Sequence, residues 1–127
     1  MTETTPPNPL ALIVEDDEKL AVIFAEALKQ AAFQTETART GQEALEKLAR
    51  LTPATVVLDL HLPDISGATV LHTIRQEARL ARTQVILATA DAAMADSLDD
   101  QSDLVLIKPV SFSQLRDLAT RLRAQIV

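Results

Sequence analysis

Val56-Val57-Leu58-Asp59-Leu60-His61-Leu62-Pro63-Asp64-Ile65-Ser66-Gly67 is an apolar, β-branched run that stops on an acid and breaks into a turn-rich loop. With Thr55 in front, the run reads as a short strand buried on both faces, because a strand of a parallel sheet covered by helices on either side has no polar face to show. Three further runs share this grammar. Leu10–Val14 ends on Glu15-Asp16, Val85–Ala88 on Thr89, and Leu104–Ile107 on Lys108. Between them lie amphipathic stretches of helical period, so strands alternate with helices and the fold class is α/β with a parallel sheet. In an open sheet of this class ligands bind at the carboxyl ends of the strands, and the four endings would therefore converge on one site.

Working outward, the spacing of Leu20, Phe24, Leu28 and Ala31 predicts a first helix over Glu18 to Ala32 with one apolar stripe. A second short strand is expected near Gln34–Ala38. Thr40-Gly41 then opens a helix with Ala44, Leu45, Leu48 and Leu51 on its apolar side, and Pro53 separates it from the next strand. Val70, Leu71 and Ile74 face inward on a third helix. Ser111 caps a last one, reaching Gln125, with Phe112, Leu115, Leu118 and Leu122 inward. Residues 1–9 hold Pro6, Pro7 and Pro9 and read as a flexible lead-in, leaving residues 10–127 as a single domain.

Composition narrows the function. The 127 residues include no Cys, Trp or Tyr, which excludes disulfide scaffolds, thiol chemistry and Cys-based zinc sites. A net charge of −6 opposes direct binding to nucleic acid, whose phosphates call for clustered Lys and Arg. No apolar run approaches the ~20 residues needed to span a bilayer, so the expectation is a cytoplasmic protein with no membrane partner. With Gly41 and Gly67 alone, the chain has no Gly-rich dinucleotide loop.

Glu15, Asp16 and Asp59 together make an oxygen-rich cluster suited to a hard divalent cation such as Mg²⁺. Carboxylates packed together repel one another unless a cation neutralises them, so the cluster destabilises the fold and points to a function. The acidic stretch Asp91, Asp96, Asp99, Asp100 and Asp103 reads instead as a solvated edge.

The order of acid pair, Asp, Thr and Lys-Pro on successive strand ends resembles the receiver domain of two-component response regulators. The segments that carry the likeness are Leu12 to Asp17, Val57 to Gly67, Ala88-Thr89-Ala90, Ile107-Lys108-Pro109 and Ala38 to Leu45. The resemblance implies a flavodoxin-like, doubly wound sheet of five strands in the order 2-1-3-4-5, with helices on both faces. It implies Asp59 as phosphoacceptor from a histidine kinase or a histidine phosphotransfer protein, and Mg²⁺ bound by Asp16, Asp59 and the His61 main-chain carbonyl, with Glu15 acting through a water. Lys108 and the Thr89 hydroxyl would contact the phosphoryl oxygens. His61 and Asp91 stand where the family places residues that modulate dephosphorylation. A downstream protein or fused output domain would read the signal.

Two departures from the family pattern bear on that output. The switch position three residues before Lys108, aromatic in typical receivers, is Val105. The stretch from Thr89 to Lys108 is about one helical turn shorter than is usual, which implies a short or irregular fourth helix near Ala92–Leu98. Two alternatives remain: a haloacid-dehalogenase-like phosphatase, in which the position of His61 would hold a second Asp, and a pseudo-receiver that binds partners without phosphorylation.

Overall fold

The computed structural model describes residues 8–126, so the lead-in expected over residues 1–9 lies mostly outside the described part. Five parallel strands form one sheet: β1 (Leu10–Val14), β2 (Gln34–Ala38), β3 (Thr55–Leu58), β4 (Gln84–Thr89) and β5 (Leu104–Ile107). Their order is β2-β1-β3-β4-β5, the flavodoxin-like order anticipated from the sequence. The register pairs Val14 with both Ala38 and Leu58, Leu58 with Leu87, and Thr89 with Ile107, so the carboxyl ends finish close to one level.

Successive strand residues point to opposite faces, and each face has its own core. On one side Ala11, Ile13, Val57, Ile86 and Leu106 pack under α1 (Glu18–Gln30) and α5 (Phe112–Arg123), which contribute Phe24, Ala27, Leu28, Leu115, Ala119 and Leu122. On the other, Leu12, Val14, Val56, Leu58, Val85 and Leu87 meet α2 (Gly41–Arg50), α3 (Gly67–Gln76) and α4 (Ala92–Ser97) through Ala44, Leu48, Val70, Leu71, Ile74 and Ala95. Among the described residues no helix is long and apolar enough to cross a membrane. The fourth helix is short, as expected: six residues, followed by a single 3₁₀ turn at Asp99–Gln101.

Side-chain oxygens fix where the helices begin. The Thr40 hydroxyl accepts from the Glu43 N–H, and the Ser111 hydroxyl from the Gln114 N–H, both at 3.0 Å. At the other ends the structure departs from the sequence reading. The first helix stops at Gln30 rather than Ala32, because Ala32 adopts φ of +70°. The Phe33 N–H donates to the Leu28 carbonyl and the Ala32 N–H to the Lys29 carbonyl, both at 3.0 Å, which is a Schellman closure. Phe33, 3% exposed, anchors that closure in the core, so burial holds an alanine where glycine is usual. The last helix ends at Arg123, and its buried stripe is Leu115, Ala119 and Leu122, with Phe112 and Leu118 only half-buried.

A left-handed alanine costs roughly 1–2 kcal/mol more than a glycine, part of which the freer unfolded glycine returns. Ala32 is exposed, so its methyl contributes no packing. Ala32→Gly should therefore raise stability by about 1 kcal/mol, read in urea as a higher midpoint with an unchanged slope.

Candidate functional site

Main-chain hydrogen bonding continues past the strands. The Glu15 N–H donates to the Ala38 carbonyl at 3.1 Å, the Asp59 N–H to the Val14 carbonyl at 3.0 Å and the Lys108 N–H to the Thr89 carbonyl at 2.9 Å. These added rungs hold Glu15, Asp59 and Lys108 at one end of the sheet, where Thr89 closes β4. Glu15 and Asp59 are 1% and 6% exposed, whereas Asp16 faces solvent. Carboxylate oxygens from all three lie within 4.8 Å of one another.

The cation that such a cluster calls for is partly supplied by the chain. Lys108 Nζ is 2.7 Å from Glu15 Oε1 and 3.2 Å from Asp59 Oδ2. Burial pushes the Glu15 carboxyl above its ordinary value, against the pull of hydrogen bonds from Lys108 and the Asp17 N–H. Burial alone would lower Lys108. The bond to Glu15 and the charges of Glu15 and Asp59 together outweigh it and hold the ammonium above its ordinary value. Two buried carboxyl groups thus share one ammonium, with Asp16 beside them on the solvent side. The donor set is all oxygen, which fits a hard divalent ion.

The remaining candidates surround this cluster. Thr89 is fully buried, and its Oγ1 accepts the Asp91 N–H at 3.2 Å. The His61 N–H donates to Asp59 Oδ1 at 3.2 Å, while its exposed ring places Nε2 2.9 Å from Asp91 Oδ2. The Met94 N–H first, and then His61, hold the Asp91 carboxyl below its usual range. Val105, in β5, pairs with Leu87 of β4 and packs half-buried on the α2–α3–α4 core.

A family model described as the response regulator receiver domain matches residues 11–120. The chain belongs to the response regulator receiver family. It is 36% identical over 116 residues to the probable transcriptional regulatory protein TcrX of Mycobacterium tuberculosis, an alignment covering 89% of this chain and 47% of that protein. The chain spans about half the length of several of the curated relatives it matches. Among solved structures, the receiver domain of Francisella response regulator 1452 superposes with a TM-score of 0.81 at 26% identity, covering 93% of this chain and 98% of that one. The response regulator TrrA of Thermotoga maritima, in complex with Mg²⁺ and BeF, does so with 0.79 at 28% identity, covering 90% and 98%.

In this receiver the loop after Asp59 is held by contacts that no local sequence pattern signals. Both glycines serve it. A Cβ at Gly67 would lie 2.2 Å from the Asp59 carbonyl oxygen, and one at Gly41 would lie 2.2 Å from Ile65 Cγ1. The Asp64 carboxylate accepts the Gly41 and Gln42 N–H groups at 2.8 Å each, tying the loop to the start of α2. Arg39 donates twice to the Asp16 carbonyl, at 2.7 and 3.2 Å, bracing the loop that carries the acid pair. The expected acidic edge is exposed at Asp96, Asp99, Asp100 and Asp103 and half-buried at Asp91, and two of its members also carry structural bonds. Asp103 accepts the Val85 N–H at 2.7 Å and pairs with Arg75 at 3.1 Å, and Asp91 caps α4. A cavity of about 850 Å³ opens at the opposite end of the strands beside Arg75 and Arg79, but both guanidinium groups are bonded to main-chain carbonyls there, far from the carboxylates.

The Gln42 N–H above all, with the Gly41 N–H, holds the Asp64 carboxyl below its ordinary value of 3.8 against the smaller effect of desolvation. A lowered folded-state value means stability that is fully present above the unfolded value and lost as pH falls through the folded one. Asp64→Asn should therefore be less stable than wild type at pH 7, and urea melts should show the gap closing as pH drops below about 3.8.

Proposed function

We propose that this receiver is a phosphorylation-activated signalling switch whose Asp59 accepts a phosphoryl group from a histidine kinase or a histidine phosphotransfer protein. The observation that carries the reading is the arrangement of Asp59: a buried carboxylate at a strand end, bonded to one ammonium and flanked by one buried and one exposed carboxylate. An Asp59 oxygen attacks phosphorus as the bond to the donor's imidazole nitrogen breaks, the bonding pair leaving with that nitrogen. The catalysis is positioning and charge balance, which the receiver supplies itself.

Asp16, Asp59 and the His61 main-chain carbonyl would hold Mg²⁺, with Glu15 acting through a water. When bound, the ion brings positive charge to the transferring oxygens. Lys108 adds its ammonium from the β5 side, and the Thr89 hydroxyl donates to a phosphoryl oxygen. His61 and Asp91 cover the mouth and modulate how readily water reaches the acyl phosphate. A cytoplasmic partner protein or a fused output domain reads the result, without direct contact of this domain with nucleic acid. With Val105 at the switch position there is no aromatic ring to swing, so the usual readout through β5 gives way to one through the loop after Thr89.

Intact-mass analysis after incubation with acetyl phosphate and Mg²⁺ should show one added phosphoryl group, absent in Asp59→Asn. Labelling that persisted in the variant would move the acceptor elsewhere. Millimolar Mg²⁺ should raise the melting temperature, by the equivalent of about 2.7 kcal/mol at ~100 times its Kd. Asp59→Asn should lose most of that gain, and an equal gain in both proteins would remove the ion from this site.

A further inference from the structure

The last rung between β1 and β2 runs from the Glu15 N–H to the Ala38 carbonyl, so the residues that follow, Asp16 and Arg39, leave the sheet side by side. The neighbours of Asp16 are each tied down. Glu15 keeps its N–H in the ladder and its carboxylate on Lys108, and Asp17 caps α1 by accepting the Leu20 N–H at 3.0 Å. The Asp16 side chain faces solvent, so packing does not orient it. What holds the residue is its carbonyl, which accepts from Arg39 Nη2 at 2.7 Å and from Arg39 Nε at 3.2 Å. Arg39 is itself fixed to a helix. Its N–H donates to Glu43 Oε1 at 2.7 Å in the first turn of α2, the turn that Thr40 caps and whose Gly41 and Gln42 N–H groups Asp64 accepts.

We propose that Arg39 is a positioning residue for the divalent ion, clamping the Asp16 carbonyl so that the Asp16 carboxylate is held toward Glu15 and Asp59. The proposal rests on the reading of those three carboxylates as a Mg²⁺ site and adds the group that orients their one exposed member. A planar guanidinium that sets two N–H groups on one oxygen restrains the direction of that carbonyl more tightly than a single donor, and the peptide plane carries the Asp16 backbone with it. Because the clamp takes the carbonyl, the carboxylate is left for the ion. Mg²⁺ demands near-ideal octahedral geometry, so a ligand on a wandering loop costs affinity. Charge alone predicts the opposite sign. Arg39 is a cation bonded beside a cation site, and removing it would by Coulomb's law strengthen the hold on the ion. The direction of the change therefore separates positioning from charge.

The test is a Mg²⁺ titration of the full chain followed by NMR at the Asp59 and Leu60 amides, with urea melts in the absence of the ion as the measure of the fold. Arg39→Ala should weaken the apparent affinity about tenfold, the size typical of losing a partner that orients a metal ligand. Arg39→Lys keeps the charge and the stem but not the fork, and should weaken it in the same direction by a smaller factor. Both variants should still melt cooperatively. An affinity unchanged or raised in Arg39→Ala would overturn the clamp and leave Arg39 a surface charge. Wild-type affinity in Arg39→Lys would overturn the role of the fork. Wild-type amides that do not move with Mg²⁺ would instead remove the ion from Glu15, Asp16 and Asp59, and the clamp with it.

Discussion

The parallel ladder of main-chain hydrogen bonds does not stop where the strands stop, and the site depends on that extension. Glu15, Asp59 and Lys108 each keep their N–H in the ladder while their side chains leave the core for the end of the sheet. A carboxylate on a free loop would swing into water and be solvated there. Fixed by the ladder, Glu15 and Asp59 stay buried and in reach of the same ammonium. Breaking one partner of such a buried set leaves an uncompensated charge, which is far more damaging than losing a surface pair.

The part of this arrangement that could be read from sequence is the part governed by local chemistry. Runs such as Val56-Val57-Leu58 and Leu12-Ile13-Val14 are legible because a strand buried on both faces must be apolar throughout, and the residue that ends the run is where polarity becomes affordable. The helix start at Ser111 was legible for a similar reason, since its cap lies three residues from the group it satisfies. The end of α1 was not, because Ala32 gives no glycine signal and the closure is enforced by the burial of Phe33. Nor could the sequence show that His61 meets Asp91 across thirty residues, or that Asp103 braces the start of β4. Those contacts exist only once the sheet order is set.

The departure from the family pattern at Val105 takes on meaning from its neighbours. It packs on the same core face as Met94, Ala95 and Leu98, and its side chain is small, rigid and β-branched. A valine there fills space without offering a second orientation, and whatever flexibility this edge has must come from α4 and its cap.

Lys108 can also be regarded as a counter-ion carried on a tether. It pairs with both Glu15 and Asp59, so a divalent ion bound there would meet a partly neutralised cluster rather than a bare one. Its affinity is the difference between two ways of compensating the same charge. By linkage, whatever draws the ammonium away from Glu15 tightens the hold on the ion, and the ion in turn frees the ammonium for another anion. On the proposed reading a phosphoryl group on Asp59 would be such an anion, and metal and phosphoryl would favour each other through Lys108.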